Sequence, residues 1–202
     1  MATLYALKPK FQALLRPLVG GLAARGVTAN QVTVAAAVLS VATGAVVCAF
    51  SHVATLFWLL PAVLLLRMAL NAIDGMLARE HGQISPLGLY LNELADLVSD
   101  LALTLPFAFL PGFGAEGVAA FAAAALLAEY AGVLGFANGA GRVYAGPFGK
   151  SDRAFALGLL GAIVAAGIGL GPLAPFLFPI MAVLAGLTIV NRVRAGLSAA
   201  RP

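Results

Sequence analysis

Apolar residues run along this chain in long, nearly unbroken stretches divided by short polar or glycine-rich connections. About 20 helical residues cross a hydrocarbon core. Six stretches approach or exceed that length: Val32 to Phe50, Val53 to Ala78, Leu87 to Leu110, Glu116 to Asn138, Ala154 to Leu170 and Leu173 to Val190. None alternates apolar and polar residues as a barrel strand does, so every backbone amide in lipid must find its partner within a helix. The pattern predicts an all-α integral membrane protein: one membrane domain over residues 1–202 with six transmembrane helices.

Residues 7–25 read differently. Phe11, Leu14, Leu15, Leu18 and Leu22 recur at helical spacing, while Lys8, Lys10, Gln12 and Arg16 fall largely elsewhere. This is the pattern of an N-terminal interfacial amphipathic helix, kinked at Pro17. It serves either as a plain anchor or as a lid over a headgroup site. Thr28 followed by Gln31 is a capping-box signature at the start of the first span. Small residues within "AGVLGFANGAG" and "GLLGAIVAAGIGLG" predict close helix packing.

Composition sharpens this reading, since 62% of residues are hydrophobic and only 10% charged, which leaves lipid as the natural solvent. The twelve Lys and Arg residues orient the chain. Lys8, Lys10, Arg16 and Arg25 precede the first span, and Arg79 follows the second. Arg142, Lys150 and Arg153 follow the fourth, and Arg192, Arg194 and Arg201 the sixth. The connections near His52, Gly112 and Gly171 carry none, so the positive-inside rule predicts that both termini and the turn at residues 80–86 are cytoplasmic. A net charge of +4 spread over membrane-flanking loops suits anionic lipid headgroups and not nucleic acid. Cys48 reads as a buried inert thiol. The N-terminal basic stretch, interrupted by Pro9 and Pro17, lacks the form of a secretory signal. His52 and His81 fall on opposite membrane faces, which argues against a histidine metal site, and there is no nucleophilic Ser or Cys motif.

Half of the eight acidic residues lie within "NAIDGMLAREHGQISPLGLYLNELAD", residues 71–96. The second and third spans meet at the turn inside this segment, so residues equally far from the turn share a depth. Counting from Glu80 and Leu87, Asn71 and Asp96 are each nine residues in, roughly 14 Å deep; Asp74 and Glu93 are each six in. Arg67, Asn71, Asp74, Gly75 and Ala78 share one helical arc, and Asn92, Glu93, Asp96 and Asp100 share another. Buried carboxylates without compensation cost several kcal/mol each, so facing arcs of this kind point to a divalent-metal site or to structural pairing.

These residues resemble the signature of the CDP-alcohol phosphotransferases, Asp-x2-Asp-Gly-x2-Ala-Arg-x8-Gly-x3-Asp-x3-Asp. Asn71, Asp74, Gly75, Ala78, Arg79, Gly88, Asn92 and Asp96 stand at its spacings, with asparagine at the first and third aspartate positions. The six-helix layout and the "TANQVT" lead into the first helix extend the likeness. The resemblance implies two divalent ions, magnesium or manganese, between the second and third helices. It implies a CDP-linked lipid such as CDP-diacylglycerol as donor. A small alcohol, glycerol 3-phosphate or an inositol-like polyol, would attack the β-phosphorus and CMP would depart, in phospholipid biosynthesis. A homodimer is also implied.

By the same resemblance Asp96 is the general base, and Asn71, Asp74, Asn92 and Asp96 surround the metal. Asp74, Gly75, Ala78, Arg79 and Gly88 serve the nucleotide, with Arg79 open to a second reading as an orientation charge. Arg142, Lys150, Ser151 and Arg153 of "GRVYAGPFGKSDR" would select the acceptor, or act only as orientation charges. The two asparagines lower the formal charge of the four-position site from −4 to −2. Glu93, level with Asp74, is expected to restore charge and complete the metal shell. Asp100 and Arg67, matched in depth, are expected to pair with each other. Glu129, acidic and mid-span, is either functional, or protonated or hydrogen-bonded to a neighbouring helix. Two other functions fit the residues: a non-catalytic family member that binds CDP-lipid or metal weakly, and a small ion or solute carrier.

Overall fold

The structure, a computed structural model, describes residues 3–199; Arg201 and the side chains of Lys8 and Lys10 lie outside what it describes. Seven α-helices follow one another among the described residues. They are α1 (Thr3–Ala24), α2 (Ala29–Ala49), α3 (Leu59–Glu80), α4 (Pro86–Thr104), α5 (Ala115–Val133), α6 (Lys150–Ala165) and α7 (Ala174–Ala199). Short 3-10 turns at Ala54–Trp58, Leu105–Phe109, Leu134–Phe136 and Gly171–Leu173 extend or join them.

Local chemistry accounts for the boundaries. At α2 the Thr28 hydroxyl accepts from the Gln31 amide N–H at 3.2 Å, and the Gln31 side chain accepts from the Thr28 N–H at 2.9 Å, closing the expected capping box. α4 opens with Ser85 accepting from the Gly88 N–H at 3.0 Å and with Pro86 at a position that has no amide proton to satisfy. Its α-helical bonding ends just before Pro106, and a 3-10 turn completes the apolar stretch. α6 starts four residues earlier than its apolar stretch, because Asp152 reaches back to the Gly149 N–H at 2.9 Å. α7 runs to Ala199, nine residues beyond the apolar limit at Val190, and carries Arg192 and Arg194 inside the helix.

Four segments are long and apolar enough to cross a membrane: Ala29–Ala49, Ala54–Glu80, Ala115–Phe136 and Gly171–Ala199. α4, with Glu93, Asp96 and Asp100 among its 19 residues, and α6, with 16 residues, do not meet that standard.

α2 packs against both α3 and α4, α5 lies along α7, and α6 leans on α3. The α2–α4 crossing requires Gly44, where a methyl group would collide with the Ala102 carbonyl. Phe57, Phe107, Phe113, Phe121, Phe148 and Phe178 build the apolar core, with the Phe107 and Phe178 rings 5.4 Å apart. In α1, Val19 is fully buried and Leu15 and Leu22 pack beside it against Ile73, Met76 and Leu77 of α3, while Phe11, Leu14 and Leu18 face outward. α1 thus offers apolar side chains both to the bundle and to its surroundings.

Candidate active site

Few residues of α3 and α4 meet directly. The space between these helices is bridged by polar side chains instead. The carboxylates there are turned away from the apolar surroundings, Asp74 5% and Asp96 9% exposed, and so is Glu129 on α5, at 4%.

Asp74, on α3, accepts a hydrogen bond from the Thr33 hydroxyl of α2 at 2.8 Å. Asp96, on α4, is held from three sides. Arg67 Nη2 donates to its Oδ1 at 3.1 Å, Lys150 Nζ pairs with its Oδ2, and Asn71 Nδ2 lies 3.5 Å from Oδ1. The matched depths of Asn71 and Asp96 therefore become a contact. Arg67 Nη1 also reaches Asp100 Oδ1 at 2.6 Å, the pairing expected from their depths.

The network continues across the bundle. Arg153 on α6 joins Asp100 Oδ2 at 3.4 Å to Glu129 Oε1 at 2.7 Å. Glu129 also takes Arg142 Nη2 at 2.7 Å and Arg192 Nη1 at 3.2 Å. Three guanidinium groups converge on one buried carboxylate, so Glu129 is hydrogen-bonded to the neighbouring helix α6 and paired with α7 and the loop after α5 as well. Arg142, in the loop between α5 and α6, stacks over Tyr144 with its guanidinium carbon 5.3 Å from the ring centre. Burial, followed by the nearby charges of Arg192 and Arg153, pushes the Arg142 guanidinium below its ordinary range against an opposing pull from Tyr144.

The Glu93 carboxylate, expected to complete the metal shell, pairs with Arg142 of the loop after α5. Among the described residues no three His, Cys, Asp or Glu side chains converge on a common metal position. Asn92 is half-buried one residue away.

At Gly75 an added methyl group would lie 2.8 Å from Arg79 Nη2, so the exposed Arg79 folds back over this glycine. At Gly88 it would lie 2.9 Å from Asn30 Oδ1. Both glycines thus make room for polar side-chain ends. Ala78 is half-buried against the small apolar cluster that joins α1, α2 and α3. Of the four loop residues expected to meet the acceptor, Arg142, Lys150 and Arg153 enter the network, while Ser151 is exposed at the start of α6.

Arg192 and Thr33 were not anticipated as site residues. Arg192 reads in sequence as a flanking charge, yet it is 2% exposed and also donates to the Ala128 carbonyl at 2.5 Å. A signal for it exists: the buried positions Phe178, Met181, Ala185, Thr188 and Arg192 repeat every three or four residues, which puts Arg192 on the inward stripe of α7.

A helical bundle of strongly apolar segments enclosing a continuous network of charged side chains is a membrane protein with a buried polar site. The chain belongs to the CDP-alcohol phosphatidyltransferase family, whose defining pattern matches residues 26–191. It is 47% identical over 193 residues, 96% of each chain, to the inner membrane protein YnbA of Escherichia coli (strain K12). Its fold is similar to that of the phosphatidylinositol phosphate synthase PgsA1 of Mycobacterium tuberculosis, crystallised with CDP-DAG bound. The TM-score is 0.75 at 19% identity, over 92% of this chain and 96% of the other. The crystal structure of that synthase with manganese and citrate agrees equally well, with TM-score 0.75 at 19% identity over 92% and 91% of the chains. As a family member the chain is a transferase of phospholipid biosynthesis.

Proposed function

We propose that the protein transfers a phosphatidyl group from a CDP-linked lipid, such as CDP-diacylglycerol, to a small alcohol and releases CMP. We place the reaction at the cytoplasmic face of an inner membrane, with six helices crossing the bilayer and the chain acting as a homodimer. The observation that carries this reading is the burial of Asp74 and Asp96, at their motif spacing, in facing helices of one polar cleft. The names of the similar proteins, an inner membrane protein and a synthase crystallised with CDP-DAG, point the same way.

The donor set fits a hard divalent cation. The carboxylates of Asp74 and Asp96 and the amide oxygens of Asn71 and Asn92 are all oxygen ligands of the kind magnesium and manganese accept. Two carboxylates balance one such ion, and Lys150 already places a second positive charge on Asp96. We therefore assign a single ion, with the Lys150 ammonium standing where a second would be redundant. When bound, the ion supplies neutralising charge for the diphosphate of the donor.

The remaining roles fall to the chain itself. The acceptor oxygen attacks the β-phosphorus, the bond from that phosphorus to the CMP oxygen breaks, and Asp96 takes the hydroxyl proton. Arg67 fixes Asp96 by gripping both its side chain and its backbone carbonyl, the latter at 3.1 Å. Lys150 is the most exposed member of the network at 29%, and is free to turn from Asp96 to the diphosphate as the base becomes needed. Arg79 and Asn30, which fill the space left by Gly75 and Gly88, are flexible ends that yield to the nucleotide.

The test is CMP release from CDP-diacylglycerol by the purified protein with magnesium or manganese and a panel of alcohols, with lipid products identified by mass. Metal-dependent CMP release with a matching new lipid is expected. Cation uptake into vesicles with no CMP release would favour a carrier instead.

A further inference from the structure

We infer that Glu129 is a built-in anion that saturates the arginine cluster beside Asp96 and so restricts the acceptor to uncharged polyols, excluding phosphorylated alcohols. The inference rests on the transferase reading above and extends it to the class of acceptor.

The arginines come from three separate segments. Arg142 lies in the loop after α5, Arg153 on α6 and Arg192 on α7, and all three reach the Glu129 carboxylate of α5 at 2.7, 2.7 and 3.2 Å. Each also has a second acceptor: Glu93 for Arg142, Asp100 for Arg153 and the Ala128 carbonyl for Arg192. Glu93 and Asp100 flank Asp96 on α4, three residues before it and four after, so they lie about one helical turn to either side. A small acceptor whose hydroxyl meets Asp96 therefore extends toward these arginines.

Charge decides what it can carry there. The network holds five cations, Arg67, Arg142, Lys150, Arg153 and Arg192. It holds four carboxylates, Glu93, Asp96, Asp100 and Glu129, and Asp74 in the same cleft makes five. Five against five leaves no positive surplus among the side chains, and the two charges of the proposed ion are met by the diphosphate of the donor. A phosphate monoester brings about −1.5 to −2 charges, and it would have to evict Glu129. That side chain sits within α5, buried, with every nearby guanidinium already bound to it, so its displacement would leave a carboxylate without a cation in a low-dielectric interior. A neutral hydroxyl meets no such barrier. Arg142 Nε and Arg192 Nε are buried donors with no hydrogen-bond partner, and each suits a hydroxyl oxygen, which accepts without adding charge.

The experiment pairs each alcohol with its phosphate ester: glycerol with glycerol 3-phosphate, and myo-inositol with myo-inositol 1-phosphate. kcat/KM is measured from CMP release on the wild type and on Glu129→Gln. The wild type should favour the unphosphorylated member of a pair by at least about tenfold, the scale of one charged hydrogen bond. Glu129→Gln should narrow or reverse that ratio by a similar factor. A wild type that prefers the phosphate ester overturns the inference.

Calorimetric titration with inorganic phosphate supplies a readout independent of turnover. The wild type should show no saturable binding and Glu129→Gln should show it; equal binding by both overturns the inference. If no alcohol releases CMP, the transferase reading fails while the phosphate titration still decides the anion claim. If the variant does not fold, the wild-type acceptor ratios and wild-type phosphate titration decide it.

Discussion

The Thr33 hydroxyl donates to Asp74 Oδ2 at 2.8 Å across 41 residues of sequence, joining α2 to the motif helix α3. The hydroxyl has a single proton and also lies 3.1 Å from the Ala29 carbonyl, but the nearer, charged acceptor takes precedence. Replacing this donor with an isosteric methyl leaves a buried carboxylate one hydrogen bond short. Thr33→Val should cost about 1–3 kcal/mol of stability, seen as a lower melting temperature in detergent, and should reduce CMP release. Thr33→Ser, which keeps the donor, should recover most of both. If valine and serine behave alike, the hydrogen bond does not support Asp74.

Loss of the proton acceptor should separate from loss of the fold. Asp96→Asn keeps the shape of the side chain and a partner for Arg67, but it cannot take the acceptor proton. CMP release should fall by about 10²–10⁴, with the melting temperature changing far less. A variant retaining a tenth or more of wild-type turnover would move the base elsewhere.

The two asparagines offer a test in the opposite direction. Asn71 Nδ2 now points a donor at Asp96, so Asn71→Asp sets a second carboxylate against the first. Without metal the variant should melt below the wild type, because like charges then face each other in a buried site. Saturating magnesium or manganese should remove the difference, and the metal should bind more tightly than in the wild type. Asn92→Asp should show the same metal dependence, weaker without metal and restored with it. A melting temperature that ignores metal in both variants would remove these positions from the ion's surroundings.

Arg67 binds Asp96 and Asp100 together, so its loss leaves two carboxylates uncompensated. Arg67→Met should cost roughly 3–5 kcal/mol, the scale for removing one partner of a buried ion pair. Adding Asp100→Asn should regain part of that stability without regaining activity, since Asp96 still lacks its positioning arginine. Recovery of turnover in the double variant would show that Arg67 only neutralises Asp100.

Much of the fold could be read directly from the chain, and the reasons are local. Apolar length sets where helices lie in lipid, Thr28 with Gln31 sets the start of α2, and Ser85 with Pro86 starts α4. Each depends on neighbours in sequence alone. Depth counted from the turn at residues 80–86 was also enough to pair Arg67 with Asp100. Helix ends were less legible: the start of α6 depends on the cap at Asp152, and the end of α7 lies beyond the apolar run that suggested it.

The hairpin and its motif, with their asparagine departures, belong to the sequence, because spacing along two adjoining helices dictates depth and face. The tertiary structure alone decided the destinations of the charges. Glu93 turned to Arg142, Glu129 gathered three arginines, and Arg192 left the apparent membrane edge for the interior. Helical periodicity says which way a side chain leaves its own helix. Which opposite charge it meets depends on how α4, α5, α6 and α7 pack, and in a medium of low dielectric that meeting governs what the site can hold.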